Sequence, residues 1–408
     1  MSHPLSPNRR SFLQKLGLLA LGSLPPASPT PSRAADSLSL PFQNGERPLV
    51  AYPGKRPLLR LTSRPPQLET PFAVFNEGLL TPNDAFFVRY HLSHLPLEID
   101  PDTFRLQIKG LVHTPLSLSL HELQTRFEPV EIIAVNQCSG NSRGFFEPRV
   151  PGGQLGNGAM GNARWKGVRL REVLQKAGLQ EGARQVLLDG LDRAAHEKTP
   201  DFIKALEIDH ALGDEVLLAY EMNGEPLPML NGFPLRAVVP GFYGTYWVKH
   251  LHEITVLGEA FNGFWMNPAY RIPNTPGACV PPGTTPKSTL PIGRLNVRSF
   301  LTSLVEGDSL PANRPALLRG IAFDGGAGIQ QVLVSLDGGR SWTDALLGKD
   351  LGNYSFREWT LAITPTPGTL EIKVKATNRL GDSQPLSPLW NPAGYMRNVV
   401  ETTKVRVL

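Results

Sequence analysis

Past a stretch rich in proline and glycine, Pro273 to Pro286, the chain falls into short strand-like runs, the later two alternating apolar and polar residues, each closed by a turn. Ala316–Phe323 runs into Asp324-Gly-Gly, Gln331–Leu336 into Asp337-Gly-Gly, and Leu370–Ala376 into Asn378-Arg-Leu-Gly-Asp382. A period of two places every second side chain on one face, which suits a half-buried strand and not a helix. Short strands at this spacing predict an immunoglobulin-like β-sandwich over 286–408. The residues before the linker read differently. Phe104–Lys109 alternates as a strand, Ser119 opens a short helix, and Leu170–Ala177 has helical spacing that stops at Gly178. Gln185–Asp189 and Val216–Tyr220 are again strand-like. With no regular βα repeat, 71–285 is expected to be a mixed domain of the α+β class. Residues 36–70, with Arg56-Pro and Arg64-Pro-Pro, read as an extended N-terminal arm. A chain of 408 residues exceeds one ordinary core, so two domains are expected.

Residues 1–35 have the order of an export leader. Arg9-Arg10-Ser11-Phe12-Leu13 is followed by the apolar run Leu16–Leu24 and then by small residues at Ala34-Ala35. The run is shorter than the about 18 apolar residues of a membrane span and suits a signal segment. The paired arginines predict the twin-arginine route and a periplasmic destination. Known substrates of that route often travel folded, with a cofactor already inserted. The leader holds four bases, Arg9, Arg10, Lys15 and Arg33, and no acid. Its removal leaves 37 of the 41 bases against 36 acids, a net charge of +1 in place of +5. No broad field for nucleic acid remains, and no segment reads as an integral membrane span.

The chain has two cysteines. Cys138 lies in Asn136-Gln-Cys-Ser-Gly-Asn-Ser-Arg-Gly144, directly after the strand-like Glu131–Val135. Structural cysteines favour apolar surroundings; this one sits at a strand-to-loop junction, where reactive groups cluster. Arg143, five residues on, would favour its thiolate if it folds back. A thiolate there is a candidate nucleophile or soft metal ligand. Cys279 is its only possible disulfide partner, and the spacing fits no metal finger. No Cys-x-x-Cys-His is present, so no c-type haem is expected in this chain. His121-Glu122 lacks the second histidine of a zinc hydrolase. Arg89 and His91, two apart in Phe86-Phe-Val-Arg-Tyr-His91, share a face if extended and make a candidate anion site. Asn157–Gly167 has glycines that would let backbone N–H groups approach a ligand. Arg236 and Lys249 stand near glycine turns, as a phosphate site requires. Tyr270 is a candidate active-site hydroxyl.

Five ordered segments together resemble the sulfite oxidase family of molybdopterin enzymes, and within it the bacterial periplasmic sulfite dehydrogenases. They are Phe87-Val-Arg-Tyr-His91, Asn136–Pro148, Gly158–Trp165, Met222-Asn-Gly-Glu-Pro-Leu-Pro228 and Trp265–Pro273. The resemblance covers about residues 70–408. It implies a sulfite-oxidase-type molybdopterin domain followed by a dimerisation sandwich. It implies one molybdopterin, with molybdenum bound by Cys138. Arg89, His91 and Arg143 match the pocket for the sulfur oxyanion, with Gln67 at its border, and Tyr270 matches the tyrosine beside the metal. Asn231, Arg236, Gly244 and Lys249 match the cofactor seat. The implied reaction is oxidation of sulfite to sulfate, with single electrons passed to a c-type cytochrome or haem subunit. A homodimer or a heterodimer is expected. The same motifs suit a sulfane dehydrogenase or an oxyanion or sulfoxide reductase. An exported binding protein of sandwich type is the reading from another class, and it leaves the arginine–cysteine constellation unexplained. The chain departs from the vertebrate pattern at Tyr90 and Asn231, where vertebrate enzymes have asparagine and histidine. It also has no secure match to a third substrate arginine in the C-terminal domain.

Overall fold

The computed structural model describes residues 37–40 and 45–408, so the export leader lies outside the described residues. The proline-rich arm is extended, as its sequence predicts, and its strands are paired. Ser37–Leu40, Gly45–Tyr52, Lys55–Ser63 and Pro66–Glu69 form an antiparallel meander whose last strand pairs with Val88–Arg89. The extended backbone that proline favours is retained, and the strands close their own hydrogen bonds. Leu58, Leu68, Val88 and Tyr90 bury one side of this sheet.

Two further sheets carry the body of the molecule. One has the order Ile203–Glu207, Gln185–Gly190, Leu251–Leu257, Arg105–Gly110 and Leu116–Ser119, with one parallel pair, Leu251–Leu257 on Arg105–Gly110. The other runs Glu225–Pro226, Leu217–Met222, Met160–Arg169 and Val130–Gln137, with Arg236–Val238 also paired to Leu217–Met222. Helices are few and short, as expected for an α+β chain. Leu120–Arg126 begins at a capping box in which the Ser119 hydroxyl and the Glu122 carboxylate each satisfy a backbone N–H of the other. Leu170–Ala177 ends at Gly178, whose φ of 70° is the left-handed turn that glycine adopts at least cost.

After the linker, two antiparallel-rich sheets face each other as a sandwich. One is built on Arg298–Leu301, Ala316–Phe323 and Arg357–Ile363, the other on Thr402–Val407, Gly368–Asn378 and Ile329–Ser335. Leu318, Val332, Trp359, Ile372 and Val405 fill the space between them. The sandwich does not end at its own core. Phe300, Ile321, Phe323 and Phe356 join the apolar cluster of the preceding domain, with Phe300 edge-on to Phe72 at 5.4 Å. The backbones meet too: Val135 N–H donates to Tyr354 O at 2.9 Å, in the strand that leads to Cys138.

Gly320 shows how closely the sandwich strands are fitted. A methyl group there would stand 2.0 Å from Phe300 O and 2.3 Å from the Trp359 ring. Overpacking of this kind costs about 1–3 kcal/mol. Gly320→Ala is therefore expected to lower the urea midpoint of unfolding without changing its slope. An unchanged midpoint would show that the strands can part at no cost.

Candidate active site

The strand Val130–Gln137 delivers Cys138 to the wall of a cavity. Its loop is held from both sides. Cys138 N–H donates to Ala159 O at 2.9 Å, and Asn141 accepts from Ala159 N–H at 3.0 Å. Ser142 turns the chain with φ 68°. Both Cys138 and Cys279 are free thiols, so the possible disulfide does not form.

Seven of the other residues singled out in the sequence line the same cavity: Arg89, His91, Asn231, Arg236, Gly244, Lys249 and Tyr270. Val88–Arg89 is the edge of the N-terminal sheet, and extended backbone turns Arg89 and His91 to the cavity while Tyr90 faces the opposite way. Tyr90 OH meets His250 Nε2 at 2.7 Å, and His250 Nδ1 meets Phe233 O at 2.7 Å. A carbonyl only accepts, so Nδ1 carries the proton and Nε2 receives the tyrosine hydroxyl. This pins the residue between the two candidate anion ligands.

Arg143 is the exception. It is buried, but its guanidinium turns from the cavity towards the C-terminal segment. Its Nε donates to Ala393 O at 3.1 Å and its Cζ lies 5.0 Å over the Tyr395 ring. Gln67 pairs with Arg89 across the N-terminal sheet and is not among the cavity-lining side chains. No residue of the Asn157–Gly167 run lines this cavity. Gly156 and Gly158 N–H instead bind the buried Glu69 carboxyl, at 2.9 and 3.3 Å.

The lining contains three cationic side chains and no aspartate or glutamate. Arg236 donates to Asn231 O at 2.7 Å and Trp247 O at 3.1 Å and lies over the Trp165 ring. Burial lowers its guanidinium to about 9. Lys249 donates to Arg89 O at 2.7 Å, and burial, then the neighbouring Arg236, push its amine down to about 7 against the pull of Asp192. His91 is held well below its ordinary value by burial and by Arg89, Lys249 and Lys204, so its ring is neutral. Its Nε2 is in a short hydrogen bond with Tyr270 OH. Tyr270 itself has φ 56°, an uncommon backbone for a bulky residue. Burial raises its phenol, which stays protonated, while Arg89 and Arg143 oppose that rise.

Several buried polar atoms of the lining have no partner within the protein: Asn136 Oδ1, Ser139 Oγ, Thr245 Oγ1 and Arg236 Nε. Such groups are costly unless something satisfies them, so this wall is built for a polar ligand. Gly244 is open for the same reason: a methyl group there would stand 2.3 Å from Asn136 Oδ1.

Sequence reasoning missed a supporting layer. Phe202 lies flat on His91 at 3.7 Å. Lys204, fully buried, donates to Trp265 O at 2.5 Å and stands 4.9 Å from the Tyr270 ring. Lys55 donates to Asn231 Oδ1 at 2.5 Å and fixes that amide. A lysine two residues after a phenylalanine at the start of an apolar strand, Phe202-Ile-Lys204, was the available signal for one of these.

Residues 92–265 match the oxidoreductase molybdopterin binding domain, and residues 290–407 the Mo-co oxidoreductase dimerisation domain. The chain is similar to sulfite oxidase of Gallus gallus, 35% identical over 371 residues that cover 86% of this chain and 79% of that one. It is similar to sulfite oxidase of Arabidopsis thaliana at 30% identity, covering 90% of this chain and 98% of that one. Among solved structures, it superposes on the sulfane dehydrogenase SoxCD of Paracoccus pantotrophus with a TM-score of 0.71, 26% identity and 85% of each chain covered.

The buried amines set a pH dependence. Lys55, Lys204 and Lys249 are each lowered from 10.5 to about 7, chiefly by burial. Between about 7 and 10 the unfolded chain then holds more protons than the folded one, so stability rises with pH. Glu69 and Asp189, raised to about 7, act below that window. The ligand-free chain is expected to show a higher urea midpoint at pH 9.5 than at 7.5. A flat or falling midpoint would mean that the amines keep their protons in the fold.

Proposed function

The chain belongs to the sulfite oxidase family of molybdopterin oxidoreductases, and from that premise we propose that it oxidises sulfite to sulfate. The observation that carries this reading is the convergence of Cys138, Arg89 and the His91–Tyr270 pair on one cavity whose lining holds no acid. Sulfite takes up one oxygen, derived from water, and two protons and two electrons are released. We assign the work to the periplasm, reached by the twin-arginine leader, with electrons passed singly to a c-type cytochrome or haem subunit. The 290–407 match supports a homodimer or heterodimer built on the sandwich.

The residues present fit the family's cofactor. Among the described residues, no three His, Cys, Asp or Glu side chains gather to hold a metal. A metal at Cys138 therefore brings most of its ligands with it, as a dithiolene cofactor does, and Cys138 supplies one soft thiolate. The unpartnered atoms of Asn136, Ser139, Thr245 and Arg236 suit the polar edge of a pterin. Arg236 and Lys249, with Asn231 held by Lys55 and Gly244 kept open, suit its phosphate. When bound, the molybdenum centre supplies the oxygen-atom transfer and takes up the electron pair.

The chain's own side chains bind and orient. Arg89 uses one Nη on Tyr90 O, at 2.8 Å, which aims the rest of the guanidinium into the cavity. It attracts the dianion and fixes its oxygens. Neutral His91 holds the Tyr270 hydroxyl beside it, and Phe202 and Trp265 pack on the imidazole so that the pair cannot swing. The likeness to SoxCD favours a second reading, oxidation of a sulfane sulfur. A sulfane-sulfur compound and free sulfite, assayed side by side with cytochrome c reduction, separate the two.

On protein exported with its leader, about one molybdenum per chain and sulfite-dependent reduction of cytochrome c are expected. Molybdenum without sulfite turnover would transfer the assignment to the sulfane reading. Cys138→Ser replaces a soft ligand by a hard one and is expected to abolish turnover nearly completely with the fold retained; wild-type rates would remove the thiolate from the metal. Arg89→Gln is expected to raise KM for sulfite about 10- to 100-fold, the value of a charge-assisted hydrogen bond, and an unchanged KM would take Arg89 out of substrate binding.

A further inference from the structure

Arg143 is held with unusual strictness for a residue outside the cavity wall. Its guanidinium is caged by three glycines from two separate parts of the chain. A methyl group at Gly140 would stand 2.9 Å from its Cζ, one at Gly152 2.8 Å from an Nη, and one at Gly394 2.9 Å from its Cγ. Gly140 and Gly152 belong to the cysteine loop and its return; Gly394 belongs to the C-terminal segment. The same segment offers Ala393 O to Nε at 3.1 Å, while Gly153 O accepts from Nη1 at 3.4 Å. The Tyr395 hydroxyl also hydrogen-bonds the Arg143 side chain, and among the described residues none of these contacts is a carboxylate. A buried guanidinium held in this way keeps its positive charge unspent.

Tyr395 joins this charge to the cavity. The Arg143 Cζ lies 5.0 Å over one ring, and that ring stacks on Tyr270 with centroids 5.4 Å apart and planes within 6°. Tyr270 in turn lines the cavity and bonds His91. The segment that carries Tyr395 is tied to the cysteine loop at both ends. Trp390 Nε1 donates to Pro148 O at 2.9 Å and Met396 N–H donates to Ser139 O at 3.2 Å. Ser139 is the residue after Cys138. The strap Trp390–Met396 therefore spans the loop from beyond Arg143 back to the thiol.

Resting on the oxyanion reading above, we propose that Tyr395 is a positioning residue that selects for anionic substrates. It holds the Arg143 charge in register with Tyr270, so that the cavity meets a dianion with two fixed cations, Arg89 in front and Arg143 behind. The sandwich domain, through the strap, thereby sets anion affinity. A neutral sulfoxide of similar size gains nothing from the second charge, and the site discriminates against it. Cation–π and ring-stacking contacts have geometries that an aliphatic side chain cannot supply.

The test uses binding as well as turnover. Sulfate affinity of the cofactor-loaded chain is measured by calorimetry for wild type, Tyr395→Leu, Tyr395→Phe, Arg143→Gln and the Tyr395→Leu/Arg143→Gln pair. Tyr395→Leu is expected to weaken sulfate about tenfold, with a matching rise in KM for sulfite that exceeds any change in kcat. Tyr395→Phe keeps the ring contacts and loses the hydroxyl's bond to Arg143, so it should recover only part of that loss. In the Arg143→Gln background, Tyr395→Leu should cost nothing more, because the two act as one unit. If Tyr395→Leu does not fold, Tyr395→Met takes its place in the same cycle. Wild-type sulfate affinity in the aliphatic variant, additive losses in the pair, or no sulfate binding by the wild type would overturn the assignment. A wild type that binds sulfate but does not oxidise sulfite would end the sulfite reading alone, and the Tyr395 cycle would still decide this one.

Discussion

Burying cations around a cavity whose lining holds no acid is the constraint on which the centre of this molecule depends. Arg89, Arg236 and Lys249 line one cavity that holds no carboxylate, and Lys55 and Lys204 stand behind it. Main-chain carbonyls and aromatic faces hold them, though not every donor is satisfied, and do not neutralise their charge. Such an arrangement costs folding free energy in the absence of an anion. The surrounding scaffold has to be rigid enough to sustain it. That requirement explains the density of aromatic packing around His91, Tyr270 and Trp165, and the two-sided hydrogen bonding of the Cys138 loop.

Close approach is the second theme. At Gly140, Gly152, Gly244, Gly320 and Gly394 the missing side chain makes room for a specific neighbour. In the sandwich the neighbour is a strand carbonyl and an indole. At the site it is a guanidinium, or an amide oxygen that has no partner of its own. The same chemical economy therefore serves stability in one domain and recognition in the other.

Much of this was legible in the sequence. Period-two runs closed by Asp-Gly-Gly marked the sandwich strands, and the capped Ser119 and terminal Gly178 marked two helices. The strand-to-loop position of Cys138 and the spacing of Arg89 and His91 led to the cavity. Other features are long-range and left no local trace. The Pro-rich segment 36–70 read as an extended arm, and its pairing was not legible because strand pairing depends on partners, here Val88–Arg89, that local sequence does not reveal. Arg143 was read as a cavity residue; its orientation is set by Ala393 and Tyr395, some 250 positions away in the chain. Lys204 looked like an ordinary strand lysine, and only packing shows it beneath Tyr270.

The shared apolar core at Phe300, Ile321, Phe323 and Phe356 has a consequence for how the chain comes apart. Domain boundaries drawn along the sequence do not coincide with a boundary in cohesion. Heat or denaturant that opens the sandwich would strip the cover from Phe72 and Phe75, withdraw the Tyr354 carbonyl from Val135, and slacken the strand that carries the thiol. The two domains share one core, and they are expected to unfold together. A fragment ending at the linker would be a catalytic half with an open apolar flank, prone to aggregate rather than to work.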